Sequence, residues 1–498
     1  MGYQRSNINV NLKNHFNSKV YTSSSPVEGD VTIVTKRDVR FDSIQIILVG
    51  TTKTRLDGVN SPQEVTHTFL KLIMPIPEST YPVPRVLETG RTYTIPFNFV
   101  IPNQLTINAC NHKMQSDQLV DHHVQLPPTM GGWERDDMAP QMAQVEYVIK
   151  ARVFREDDLR TVTKKVRVME ATQAIRVLPA SVEDPPLNIT EKDKLYRMTK
   201  SKWIRKNLLS NKIGRLTAEA VQPRPALIKP DGRSAAAPTM AQIKLKFEPT
   251  QAGISPPDIS SLSGKITAYT YFSSGTISQF PNLGDWNQLF VAEKRGMFST
   301  SAPLRNMAAP KTQPQWTERL VATERRDSGY GSESTPMQSP QEKSNEKPKK
   351  KKSSSSSPSS PVYYETTLEI PFDLPLDKKT LIPTFHSCIT SRVYSLHLSL
   401  GVSVNGSKSI SSTVSLTAPI QMAVDIDEES ADGARQRQLG LPSFESALEE
   451  AEADAHLVPR VLQAPPESSP SMSALGNRGS IMGPLGGLPG YTEIGVHG

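Results

Sequence analysis

Apolar and polar side chains alternate with a period of two along most of the chain, a pattern that predicts strands from the first residues onward. Ile8, Val10 and Leu12 alternate with Asn9 and Asn11. Pro26-Val27-Glu28-Gly29-Asp30 reads as a turn leading to a strand through Val31 and Ile33. FDSIQIILVG is an apolar run closed by Gly50, which suits a strand covered on both faces. Val145, Tyr147, Ile149, Ala151 and Val153 share one face, with Glu146, Lys150 and Arg152 on the other. Ile175-Arg176-Val177-Leu178 ends this half before Pro179. Short strands, Pro/Gly punctuation and an almost complete lack of helical periodicity predict a β-sandwich.

The second half repeats the pattern. Ile243, Leu245 and Phe247 alternate in QIKLKFEP, and Tyr394, Leu396, Leu398, Leu400, Val402 and Val404 form the longest alternation in the chain. Asn405-Gly406 then predicts a hairpin, with a return strand through Val414 and Leu416 to Pro419-Ile420. Ile95-Pro96-Phe97-Asn98 and Leu126-Pro127-Pro128-Thr129 precede the Tyr147 strand. Ile370-Pro371-Phe372-Asp373 and Ile382-Pro383-Thr384-Phe385 likewise precede the Tyr394 strand, which suggests an internal duplication. The expected organisation is a sandwich at 1–180, a connector at 181–213, a second sandwich at 214–426 and a tail at 427–498. The connector is polar and charged, with Leu195, Met198, Trp203 and Ile204 allowing a short helix. An insert at about 305–361, whose centre is Ser-, Pro- and Lys-rich, has the composition of a disordered segment, as has the tail.

Composition fits this division: 36% of the 498 residues are hydrophobic, and the 41 prolines exceed what two packed sandwiches would use. Cys110 and Cys388 are the only cysteines, too few for a disulfide framework and in keeping with a reducing compartment. The start MGYQRSNINVNLKNH lacks the apolar core of a secretory signal, and no apolar run reaches bilayer length. A cytoplasmic protein with only peripheral membrane contact is expected. Much of the net charge of +7 comes from lysines of the insert, so no nucleic-acid partner is inferred.

VYTSSSPVEGDVTIVT, QIILVG, TGRTYTIPFNFVIP (with Gly90, Phe97, Phe99 and Pro102), VEYVIKARV and LIPTFHSCITSRVYSLHLSLGV together resemble the arrestin superfamily, in particular fungal α-arrestin-like proteins. The order of these segments carries the resemblance, which is closer over 8–180 than over 214–425. It implies an all-β fold of two consecutive immunoglobulin-like sandwiches, and a non-enzymatic adaptor. Such an adaptor binds cytosolic tails of membrane proteins, recruits a WW-domain HECT ubiquitin ligase and works at the plasma membrane or endosomes. The long insert departs from the family pattern, and the charged residues that latch the two lobes in visual arrestins are not identifiable in the sequence. A coat-like or signalling scaffold without ligase recruitment, and a nuclear-imported binding module, are the alternatives.

Several short motifs bear on these readings. Leu488, Pro489 and Tyr491 form an LPxY variant of the PPxY ligand, in which a WW groove takes the proline and an adjacent pocket takes the tyrosine. Ser328 and Ser332 lie in a DSGxxS arrangement, and Thr335 and Ser339 each precede proline, so phosphorylation is expected at these four positions. Lys349, Lys350, Lys351 and Lys352 read as a solvated loop, an anionic-lipid contact or a nuclear-import signal. Cys110, His112, His122 and His123 gather beside Asp121, yet their spacing fits no standard zinc module and adjacent histidines on a strand point apart. A polar loop is expected there, with no metal and no cofactor. No GxSxG, HExxH, P-loop or strand-to-helix GxGxxG occurs, so no catalytic residues are assigned.

Overall fold

The structure is a computed structural model that describes residues 7–57, 62–106, 109–159, 162–181, 183–206, 211–284, 286, 294–308, 313–320, 362–404 and 412–425. The proposed phosphoacceptors, the lysine tract, the Asn405-Gly406 turn and the whole Leu488–Tyr491 motif lie outside these residues.

The chain is all-β, and its strands fall into two sets of sheets. The first half contains β1 (Asn7–Leu12), β2 (Val20–Tyr21), β3 (Pro26–Val34), β4 (Val39–Arg40), β5 (Ser43–Leu56) and β6 (Gln63–Ile73). β7 (Val86–Leu87), β8 (Thr92–Val100), the helix α1 (Asp117–Val124), β9 (Ala143–Leu159) and β10 (Val162–Val177) complete it. A three-stranded sheet ordered β1-β3-β8 packs over a five-stranded sheet ordered β2-β10-β9-β5-β6. The period-two positions face each other between them: Val31, Ile33, Ile95 and Phe97 from one sheet, Ile46, Leu48, Val145, Tyr147 and Ile149 from the other, all buried.

The second half contains β11 (Thr199–Arg205), β12 (Lys212–Val221), β13 (Ala226–Ile228), β14 (Thr239–Pro249), β15 (Asp258–Ser273) and β16 (Arg295–Pro303). It continues through β17 (Thr317–Leu320), β18 (Val362–Phe372), β19 (Phe385–His386), β20 (Thr390–Ser403), β21 (Ser412–Ile420) and β22 (Met422–Val424). Its sheets are ordered β11-β12-β14-β18-β17 and β16-β15-β20-β19, with β21 also paired to β20. The Tyr394–Val402 alternation and its return strand form the expected antiparallel pair, Tyr394 opposite Ile420 and Val402 opposite Ser412.

The echoed segments occupy equivalent places. In the first half Thr129 pairs with Val177 through both backbone and hydroxyl, and the Tyr147 hydroxyl donates to the Pro127 carbonyl at 2.7 Å. In the second, Thr384 pairs in the same way with Met422, and the Tyr394 hydroxyl donates to the Ile382 carbonyl at 2.9 Å. Each last strand also takes a short parallel partner, β10 with β2 and β22 with β13. One sandwich plan is therefore used twice, down to the threonine that receives the closing strand.

Four sequence expectations change. Pro26–Asp30 is the start of β3, not a turn; the reversal precedes it, where Ser24 has φ +64. Gly29 lies in that strand opposite Phe97, and a Cβ on it would sit 2.1 Å from the Asn11 carbonyl oxygen and 2.7 Å from the Phe97 ring. Gly29→Ala is thus expected to cost about 1–3 kcal/mol by overpacking, seen as a lower urea midpoint with an unchanged slope. The connector at 181–213 holds strand β11, not a helix, because Trp203 and Ile204 extend along β12 instead of turning. Part of the stretch at 305–361 is ordered: Thr317–Leu320 adds an edge strand to β18, and Arg305 pairs with Asp373. The polar loop expected around His122 is instead a helix, whose Ser116 N-cap accepts from the Leu119 N–H at 3.4 Å.

Candidate functional site

The inward register of β20 does not begin at Tyr394 but one step earlier, at Arg392, which is fully buried. Its guanidinium is satisfied almost entirely by the first half of the chain. One terminal nitrogen donates to the Asp137 carbonyl at 3.0 Å, and the other donates to the Met138 carbonyl at 3.2 Å and approaches Met130 Sδ at 3.5 Å. Nε donates to Thr270 Oγ1 at 2.9 Å, which fixes the fork against β15. A buried charge is tolerated only when paired and hydrogen-bonded in this way.

The loop that Arg392 grips, 129–139, is folded around two aspartates. Asp137 accepts from the Gly131 N–H at 2.6 Å and the Ala139 N–H at 3.1 Å, while Met138, held at φ +61, donates its N–H to Asp136 at 2.7 Å. Burial pushes the Asp137 carboxyl above the usual carboxylate range, against the pull of the Gly131 bond and the Arg392 charge. The hydrogen bond from Lys379 holds Asp136 below that range. Arg135 donates to the Leu376 carbonyl at 2.9 Å and Thr54 to the Ser273 carbonyl at 3.0 Å. The two halves are thus joined by a charged, buried latch for which the sequence analysis named no residues. Arg392 had a visible signal: it is a charge standing in the apolar register of the longest alternation.

Beside the latch, α1 packs against β19. His122 faces Asp184, Nε2 to Oδ1 3.6 Å, and its ring meets His386 and Phe280 edge-on. These four side chains line a cavity of about 150 Å³ rimmed by Pro186 and Pro223. Burial holds His386 well below the ordinary imidazole range and raises Asp184. The Ser391 hydroxyl lies 2.6 Å from His386 Nδ1, the contact a nucleophile and its base would make. Ser391 is fully buried, however, and also bonds to the Phe385 carbonyl at 3.2 Å, so no substrate atom can approach it. The pair fixes the β19–β20 turn.

His123, next to His122 in the last turn of α1, points the other way. Its Nδ1 is 3.5 Å from Cys110 Sγ, its ring centroid is 5.2 Å from that of His112, and Cys110 Sγ is 3.7 Å from Cys388 Sγ. Burial is the main reason that His123 is held down at about 3 and Cys388 pushed up to about 12. One ligand atom from each of Cys110, His112, His123 and Cys388 falls within 4.8 Å of all the others. Sequence reasoning grouped three of these residues with His122 and expected no site. The structure turns His122 away and brings in Cys388, more than 260 residues further on.

Residues 306–422 match the family described as Bul1 C terminus. The matched span runs from the loop after β16 through β21 to the first residue of β22, and so contains Arg392, Cys388 and the Thr384–Met422 pairing. No curated protein sequence matches the chain.

Proposed function

We propose that this chain is a non-enzymatic arrestin-like adaptor. Two sandwiches, 1–180 and 214–426, form a scaffold that binds cytosolic parts of membrane proteins. Its tail, through Leu488, Pro489 and Tyr491, recruits a WW-domain HECT ubiquitin ligase for endocytic trafficking, with the protein in the cytoplasm and peripherally at plasma membrane or endosomes. The observation that carries the reading is the match of 306–422 to the Bul1 C terminus, on a second sandwich that repeats the plan of the first. A buried arginine latch between halves suits a scaffold whose partners bind over a fixed surface. The full burial of Ser391 beside His386 is in keeping with a non-enzymatic reading.

In this scheme phosphates on Ser328, Ser332, Thr335 and Ser339 add roughly two negative charges each beside Lys349, Lys350, Lys351 and Lys352. The same lysines are free to meet an anionic membrane surface when the phosphates are absent.

The tyrosine of a WW ligand fills its own pocket, so Tyr491→Ala is expected to reduce capture of the ligase at least tenfold in a pull-down with full-length protein. Membrane-protein partners should be retained by the same variant. Equal ligase capture by both forms would remove the ligase arm and favour the scaffold without ligase recruitment.

A further inference from the structure

We propose that Cys110, His112, His123 and Cys388 form a structural zinc site that clamps α1 to the β19–β20 turn.

The four ligand atoms lie within 4.8 Å of one another, and two of their six edges have the lengths of a tetrahedral Cys₂His₂ site. Zinc bonds of about 2.3 Å to sulfur and about 2.0–2.1 Å to nitrogen require a tetrahedron with S–S edges of about 3.8 Å and S–N edges of about 3.6 Å. The two edges seen are 3.7 Å between Cys110 Sγ and Cys388 Sγ and 3.5 Å between Cys110 Sγ and His123 Nδ1. A disulfide would need its sulfurs at about 2.05 Å.

A second, independent observation points to a ligand. Both ring nitrogens of His112 are buried without a hydrogen-bond partner. A buried imidazole with neither nitrogen satisfied is costly and rare. A metal bond to one nitrogen of His112 removes half of that deficit.

The ligands come from three places: Cys110 and His112 from the loop before α1, His123 from the last turn of α1, and Cys388 from the turn between β19 and β20. All four positions of a tetrahedral ion are filled by protein, which marks the site as structural and not catalytic. The surroundings are built to hold Cys388 still, since its carbonyl accepts from the Ile277 N–H at 2.7 Å and the neighbouring Ser387 and Thr390 are bonded to each other. Across the same junction the Gln115 N–H donates to the Ser278 carbonyl at 3.0 Å. Zinc here would tie the loop before α1 and the end of α1, in the first half, to the β19–β20 turn in the second. It asks of Cys110 and Cys388 only that they shed their protons on binding.

The test is the metal content of the full-length protein, purified under reducing conditions and measured by inductively coupled plasma mass spectrometry. One zinc per chain is expected, falling to background in Cys110→Ser and Cys388→Ser and unchanged in His122→Gln, whose side chain faces away. Cobalt alone, added to stripped protein, is expected to give the intense visible bands of tetrahedral coordination together with a thiolate charge-transfer band. His112→Ala, which truncates a partly buried loop side chain outside the two sheets, should weaken and shift those bands with the fold retained by circular dichroism. Wild-type protein that carries no zinc and yields no tetrahedral cobalt spectrum would overturn the site. So would zinc retained by Cys110→Ser or Cys388→Ser, or protein isolated without reductant in which Cys110 and Cys388 prove to be disulfide-bonded and metal-free.

Discussion

Arg392→Ala is expected to lower the unfolding free energy by about 3–5 kcal/mol, the cost of breaking one side of a buried charged network. The substitution leaves the Asp137 and Met138 carbonyls and the Thr270 hydroxyl without their donor, and leaves the buried Asp137 carboxylate without the positive charge beside it. Arg392→Lys keeps a charge but cannot fork to two carbonyls and Thr270 together, so it should recover only part of the loss. The deficit carries a pH signature. Asp137 already has a folded pKa above its unfolded value, so its ionisation costs stability at neutral pH, and that cost disappears as pH falls through the folded pKa. Removing Arg392 raises that pKa further, so the gap between variant and wild type should narrow from a neutral to an acidic pH. Urea titrations followed by tryptophan fluorescence at the two pH values check both statements. A loss under about 1 kcal/mol for the alanine variant, or a gap that widens on acidification, would show that the arginine is a bystander in the seam.

The strands were legible because burial in a sandwich is one-sided, and one-sided burial writes itself as a period of two. Val145, Tyr147, Ile149, Ala151 and Val153 were read as one face and all are buried. The elements that escaped lack that signature for definite reasons. Thr317–Leu320 is exposed at every position, so its only determinant is the free edge of β18. In α1 the buried positions are Leu119, His122 and His123, and a helix whose inner face is histidine shows no apolar stripe. Arg392 could have been found, as the charge that interrupts an apolar register. The Cys/His cluster could not, since three of its members are close in sequence while the fourth lies across the seam, and the His-His pair splits its loyalties only because it sits on a helix. The tail and insert motifs fall outside the described residues.

The duplicated plan makes a second large effect predictable. Tyr147→Ala is expected to cost about 3–5 kcal/mol, as for other large aromatic truncations in a packed core. The ring is buried between the sheets, lies edge-on to Phe69 at 5.4 Å, and carries its hydroxyl to the Pro127 carbonyl. Tyr147→Phe isolates the last contact: it keeps the packing and leaves one buried carbonyl without its donor, for about 1–3 kcal/mol. The counterpart Tyr394→Phe deprives the Ile382 carbonyl in the same way and should cost a similar amount. The two hydroxyls share no hydrogen-bond partner, so the double Phe variant should lose the sum of the single losses to within about 0.5 kcal/mol. Equilibrium denaturation of the four proteins completes the cycle. Additivity would mean that each tyrosine locks only the proline-containing loop of its own sandwich. Coupling well beyond that margin would mean that the loops communicate through the seam, where Arg392 lies 5.9 Å from the Tyr394 ring and grips the loop that follows Pro127.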